Sequence, residues 1–165
     1  MTRNASSLAA IAGATVIAFS LSSCGKDNFS EKTLTYTESE TNDFGFNDAA
    51  PNANLGRQGP DKLTPADGVT FASDLLDSSK KKVGELNAQC IFIRPGAFNT
   101  ASAQCSGTAT VPGGTLVLSV GGKLNKGVSG AITGGTGDYT AAGGTFTSSG
   151  GRNSTDTFEV QIPQK

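Results

Sequence analysis

The clearest pattern in the chain is a period of two near its end. Over residues 155–162, Phe158, Val160 and Ile162 fall on one face and Thr157, Glu159 and Gln161 on the other, the alternation of a half-buried strand. Less regular β-prone runs precede it at 32–37, 69–76, 82–94, 103–111, 115–120, 129–133 and 140–148. Turn residues separate them, at 77–81, Pro95-Gly96, Pro112-Gly113-Gly114 and Gly121-Gly122. Residues 38–68 are rich in Asn, Asp, Gly and Pro and read as a long irregular excursion. After the first 23 residues, no window holds a helical period over about 11 residues. Gly fills 13 of the 39 positions from 113 to 151, a density few helices tolerate. The pattern predicts an all-β domain of eight short strands, a sandwich or a barrel. An eight-stranded antiparallel barrel has the advantage that closure removes exposed edges.

The start of the chain has a different texture. Arg3 precedes an uncharged stretch of 14 residues, 8–21, too short to cross a bilayer comfortably but suited to a signal peptide. The stretch ends in Leu21-Ser22-Ser23-Cys24-Gly25, which resembles a bacterial lipobox. Small residues there give a peptidase access to the bond before Cys24, whose thiol then carries a diacylglycerol. The predicted organisation is a lipoprotein signal peptide at 1–23, a short polar linker at 24–31 and a barrel domain at 32–165. An ordinary cleaved signal peptide and an uncleaved helical anchor are the alternatives. Acyl chains at Cys24 would hold the domain to the outer face of a membrane, at about 0.8 kcal/mol per buried CH₂.

Composition then narrows the chemistry. The net charge of −1 gives no electrostatic case for a nucleic-acid partner. Lys80-Lys81-Lys82 is a lone basic triplet, read as a solvated turn. The chain has no histidine, which removes Ser-His-Asp triads and histidine metal sites, and nothing implies a metal or cofactor. Of three cysteines, Cys24 is assigned, leaving Cys90 and Cys105. Outside the cytoplasm these two most simply form a disulfide; a reactive thiol is the alternative.

The most specific motif is Ala131-Ile132-Thr133-Gly134-Gly135-Thr136-Gly137-Asp138-Tyr139. It lacks the Lys of a phosphate-binding loop, and Thr140 stands where a dinucleotide fingerprint would need Gly. It resembles instead the A-I-T-G-G-T-G-x-Y signature of the dirigent and allene oxide cyclase superfamily. Lys82-Val83-Gly84 followed by Cys90-Ile91-Phe92-Ile93, Cys105-Ser106-Gly107-Thr108, Pro112-Gly113-Gly114-Thr115 and Ala142-Gly143-Gly144-Thr145 extend the likeness over residues 67–162. The paired cysteines resemble the bacterial branch. The resemblance implies an eight-stranded antiparallel up-and-down barrel with an apolar cavity. Relatives hold a reactive small molecule in one shape, as cyclases or as guides of phenoxy-radical coupling, which is catalysis by orientation. Dirigent relatives often form trimers, and nothing in this sequence marks an interface.

Departures from the family point to particular residues. Its plant cyclases carry a free pocket thiol where Cys90 stands, and here Cys90 has a partner in reach of the same chemistry. They also place a glutamate on the first strand, for which Glu38 and Glu40 are the nearest candidates. Asp74 and Glu85 are carboxylates on predicted strands and, with Tyr139, are the candidate ligand-orienting groups, provided they point inward. Outward-facing, solvated carboxylates are the alternative, and the glycines of the motif are expected to form a strand–turn–strand corner under Tyr139. Two readings follow: a membrane-tethered barrel that binds a small apolar or phenolic molecule or is purely structural, and a cyclase or dirigent-type enzyme. An interior filled by Leu116, Leu118, Phe146 and Phe158 would favour the structural version. A cavity of at least about 300 Å³ with convergent polar groups would favour binding or catalysis.

Overall fold

The computed structural model describes residues 28–39, 43–47, 49, 55–56, 59–60, 63–94, 96–97, 100–124, 126–151 and 153–164. The predicted signal peptide at 1–23, residues 24–27 of the predicted linker, Cys24 among them, and Glu40 lie outside the described residues. The strands are β1 (Phe29–Glu38), β2 (Asp43–Asn47), β3 (Leu55–Gly56), β4 (Gly59–Pro60), β5 (Gly68–Leu76), β6 (Lys82–Arg94), β7 (Ser102–Val111), β8 (Gly114–Lys123), β9 (Gly127–Gly135), β10 (Gly143–Ser148) and β11 (Thr155–Pro163). A single 3₁₀ turn, Gly137–Tyr139, lies between β9 and β10.

From β5 to β11 each strand pairs antiparallel with the next. β1 runs along β11 from Phe29↔Pro163 to Thr37↔Thr155. Its end then meets β5 at Thr37↔Leu76 and Glu38↔Leu75. This closes an up-and-down barrel of eight strands: the turn-separated runs predicted eight strands, and the family resemblance implied the barrel. Closure gives each of these strands a neighbour on both sides, although β1 and β5 meet over only two pairs.

Three details differ from the sequence reading. The first strand starts earlier than residue 32, because β1 already begins at Phe29. Residues 140–142 belong to a turn rather than to β10. The described residues of the excursion 38–68 also include strand, which its composition did not suggest. Glu38 completes β1, and β2 continues down β5 from Asp43↔Ala72 to Asn47↔Gly68. The edge of β5 left free beyond Glu38 supplies backbone partners that local propensity does not anticipate. Asp67 secures the same region: its carboxylate accepts from the Ala49 and Thr64 amides at 2.9 and 2.6 Å.

Alternation decides what fills the barrel. Leu86, Cys90 and Phe92 of β6, Leu116, Leu118 and Val120 of β8, and Phe158 and Val160 of β11 point inward and are buried. The Thr- and Ser-rich positions between them face out. Phe158 anchors this core, with Phe146 at 4.8 Å and Tyr36 at 6.1 Å between ring centroids. Cys90 and Cys105 are direct cross-strand partners in β6 and β7 and are joined by a disulfide.

Candidate functional site

The barrel is not filled throughout. Leu116 and Phe158 are packed solid, but Leu118 and Phe146 border a cavity of about 270 Å³. Its wall is mostly apolar: Phe44, Phe71, Leu86, Ala88, Val120 and Val128 all contribute. Cys105 borders it as half of the disulfide, so no free thiol from this pair faces the cavity. Small residues make the room. Ala88 and Gly107 are register partners in β6 and β7, and both line the space. Gly150 and Gly151, in the turn between β10 and β11, complete the wall at one end.

The polar part of this wall is Glu38, with Ser148 beside it. Behind them lies Asp156, fully buried and inward-facing on β11 by the same parity as Phe158 and Val160. The register sets the group: Asp156 pairs with Tyr36 on β1 and with Ser148 on β10. Ser154 links the acids. Its hydroxyl donates to Glu38 Oε2 and its oxygen lies 3.5 Å from Asp156 Oδ1 and 3.4 Å from Ser148 Oγ. One hydroxyl hydrogen cannot serve both carboxylates. Among the described residues, Glu38 Oε1 and Asp156 Oδ2 are buried with no hydrogen-bond partner.

Electrostatics follows from this placement. Burial raises the Glu38 carboxyl, partly opposed by the Ser154 bond. Burial raises Asp156 further, helped by the negative charge of Glu38 and opposed by Ser148 and Ser154, to about 7. Asp156 therefore holds a proton up to neutrality, and the two acids share one site without both being ionised. Burial also raises the Tyr36 hydroxyl, with a smaller contribution from Tyr139.

The residues singled out in the sequence sit elsewhere. Asp74 and Glu85 face each other across β5 and β6, on the outer surface. Lys82 clamps them there, with Nζ 2.6 Å from Asp74 and 3.6 Å from Glu85. Neither lines the cavity, because Ser73 and Leu75 on β5, and Leu86 on β6, take the inward positions beside them. Tyr139 is inside the barrel but outside the cavity. β8 runs from Gly114, on the Tyr139 side, toward Leu124 at the cavity's glycine end, so Tyr139 closes the opposite end. Its hydroxyl donates to Pro112 O at 2.8 Å and accepts from Lys32 Nζ at 3.3 Å.

The glycine motif builds that closed end. Ile132 is buried in the core, and Thr133 is the extra residue of a bulge against β8, its Oγ1 3.4 Å from Val117 O. Gly134 ends the bulge opposite Val117. A Cβ on Gly135 would sit 2.6 Å from both Thr115 O and Tyr139 O. Thr136 Oγ1 accepts from the Thr115 amide at 3.3 Å, and Gly137 turns the chain with φ +62°. Glu38 was reachable from the sequence as a first-strand glutamate. Asp156 was missed, although its parity with Phe158 already placed it on the buried face. Ser148 and Ser154 carried no sequence signal.

No protein-family model matches the sequence, and no curated protein matches it. Solved structures do resemble the fold. A pyocyanin demethylase aligns with TM-score 0.62 and 21% identity over 78% of this chain and 99% of its own. The pterocarpan synthase dirigent protein GePTS1 aligns with TM-score 0.63 and 16% identity over 85% and 94%. The exo-specific intermolecular Diels-Alderase AbnU aligns with TM-score 0.59 and 12% identity over 80% and 98%. With its closed eight-stranded meander and internal cavity, the chain has the barrel fold shared by dirigent proteins and Diels-Alderase cyclases.

Proposed function

We propose that the barrel is a small-molecule holder: it takes an apolar or phenolic molecule into its cavity and fixes the orientation of that molecule against the Glu38–Asp156 pair. One observation carries this reading. An apolar space of about 270 Å³, just under the about 300 Å³ at which ligand pockets begin, has one acidic side chain on its wall, Glu38, with Asp156 behind it. The apolar wall supplies affinity and the localised acid supplies direction. The names of the neighbouring structures, Diels-Alderase and pterocarpan synthase dirigent protein, support a role in which a barrel restrains a reactive molecule.

A second reading is catalysis of the cyclase, isomerase or dirigent type. The proton that Asp156 keeps near neutrality favours it, since a general acid works best when its pKa lies near the operating pH. In either reading Cys24 would carry the lipid that holds the barrel at the outer face of a membrane. A Cys24→Ala chain is then expected in the soluble fraction, and one that still partitions with membranes overturns the anchor.

The cavity reading is tested by mass spectrometry of small molecules that co-purify with the full chain, beside a Leu118→Trp variant whose indole fills the space. The expected result is an apolar or phenolic compound present with the unaltered chain and lost from the variant. A folded Leu118→Trp protein that retains the same compound places it elsewhere and ends the proposal.

A further inference from the structure

We propose that the cavity is selective for organic cations: an apolar or aromatic body carrying a primary or secondary ammonium, which docks on Glu38 beside Asp156. The proposal rests on the reading of the cavity as a small-molecule site and goes beyond it by assigning the charge of the occupant.

The argument begins with a shortage of donors. Two carboxyl groups bring four oxygens to one corner of the barrel, and below neutrality the Asp156 proton is the one donor they hold between them. Ser154 gives its hydrogen to Glu38, and the Gly150 amide is spent on Ser148 Oγ at 3.4 Å. Glu38 Oε1 and Asp156 Oδ2 remain buried without a partner among the described residues. A buried acceptor left unpaired costs free energy that an occupant bearing N–H groups restores. A ligand offering only acceptors leaves the shortage in place. A phenol brings one donor and no charge. A primary ammonium brings three donors and a positive charge.

The charge matters because nothing among the described residues lining the cavity supplies it. No Lys or Arg is among the described residues that line the space. Lys32 is engaged at the opposite end, 3.3 Å from the Tyr139 hydroxyl and 5.4 Å from its ring centroid. Phe44, Phe71 and Phe146 share the wall with Glu38. Aromatic rings attract cations, more strongly when the site is dry, so the apolar wall also favours a positive head. An anion would meet Glu38 in a low-dielectric space and be repelled.

A cation also changes the state of the pair. Without one, the charge of Glu38 and burial keep Asp156 protonated up to about 7. With an ammonium on Glu38, the charge of Glu38 is neutralised, Asp156 can ionise, and its proton leaves to solvent. Affinity for the cation therefore rises as pH climbs through neutrality. The titratable groups that face Asp156 are Glu38 and Tyr36, both from β1; its β10 partner is Ser148, which does not titrate. Burial keeps the Tyr36 hydroxyl protonated across this range.

Three probes of one body and different heads test this on the full chain by calorimetry: naphthylmethylammonium, naphthylmethanol and naphthoate. The ammonium is expected to bind at least about tenfold more tightly than the alcohol, and the naphthoate least tightly. Raising the pH from about 6 to about 8 should strengthen ammonium binding and leave the alcohol unchanged. Glu38→Gln should bring the ammonium down to the alcohol's affinity, and Asp156→Asn should remove the pH dependence. If either variant fails to fold, the head-group series on the unaltered chain decides. Equal binding of all three heads, or preference for naphthoate, overturns the cation proposal and leaves the cavity reading standing. Binding of none overturns both.

Discussion

Ser154, at the foot of β11, donates its hydroxyl hydrogen to Glu38 at the end of β1, 116 positions earlier in the chain. That bond ties the start of β11 to the end of β1, next to the point where β1 meets β5 and the barrel closes. It also commits the only hydrogen Ser154 has, which leaves Asp156, 3.5 Å away, to keep its own proton.

Stability should therefore fall as the pH rises. The folded Asp156 sits at about 7 against 3.8 for the free side chain, so the native state binds more protons than the unfolded chain between these values. Stability is highest on the acid side and is lost as pH climbs from about 4 to about 7, by on the order of 4 kcal/mol at most. Glu38, raised by burial, acts in the same direction. Asp156→Asn removes the ionisable group while keeping a polar side chain of similar size. Melting temperatures at about pH 5 and about pH 8 should differ clearly in the unaltered protein and much less in the variant. A melting temperature that rises with pH would show that the buried acid is not protonated in the fold.

Tyr139→Phe should separate the glycine motif from ligand binding. The variant leaves Pro112 O without its 2.8 Å donor and Lys32 without its 3.3 Å acceptor at the closed end. The expected loss is about 1–2 kcal/mol in urea unfolding, with binding in the cavity unchanged. Loss of binding in a variant of near-normal stability would mean that Tyr139 reaches the ligand after all.

Much of the barrel was legible because its strands are bounded by strong turn signals. β6 runs over 82–94 as its pattern implied, and 155–162 lies within β11. Orientation was harder to read where both faces carry apolar residues. On β5, Ala72 and Leu76 share the outer face with Asp74, and on β6 the exposed Ile91 and Ile93 share it with Glu85. Parity was blurred there, so the two acids kept an inward option that the fold denies them. On β11 the parity is clean, and it already carried Asp156 into the core. What no local pattern could supply was the seam. The meeting of Glu38 with Leu75 depends on the stagger at which β1 and β5 close the ring, and that of Glu38 with Asp156 on the long-range register of β1 with β11.

Two phenylalanines on the same inner face should respond in opposite ways. Phe158 is completely buried, with Phe146 and Tyr36 against it. Phe158→Ala should cost about 3–5 kcal/mol, as expected for a large aromatic removed from a packed core. Phe44 is 61% exposed and lies on the short strand β2, but it borders the cavity. Phe44→Ala should change stability by less than about 1 kcal/mol while weakening ligand binding. Chemical denaturation alongside a fluorescent cavity probe measures both quantities. A Phe44→Ala protein that binds normally would remove β2 from the site.

The disulfide should prove both stabilising and slow to reduce. Cys90 is fully buried and Cys105 nearly so, and the bond closes a sequence separation of 15 residues. In the chain-entropy account a loop of that size contributes about 3 kcal/mol. The double variant Cys90→Ala with Cys105→Ala should lose roughly that amount, while keeping the fold, because eight other register pairs of β6 and β7 flank the bond, the five on the Glu85 side without a break. Since Cys105 also borders the cavity, removing both sulfurs enlarges the space next to Ala88 and Gly107. The variant should therefore take a bulkier occupant at reduced stability. Peptide mass spectrometry under non-reducing conditions should recover the two cysteines linked, and brief exposure of the folded protein to reductant should leave them so. Rapid alkylation of both thiols in the native protein would contradict the burial that the barrel imposes on them.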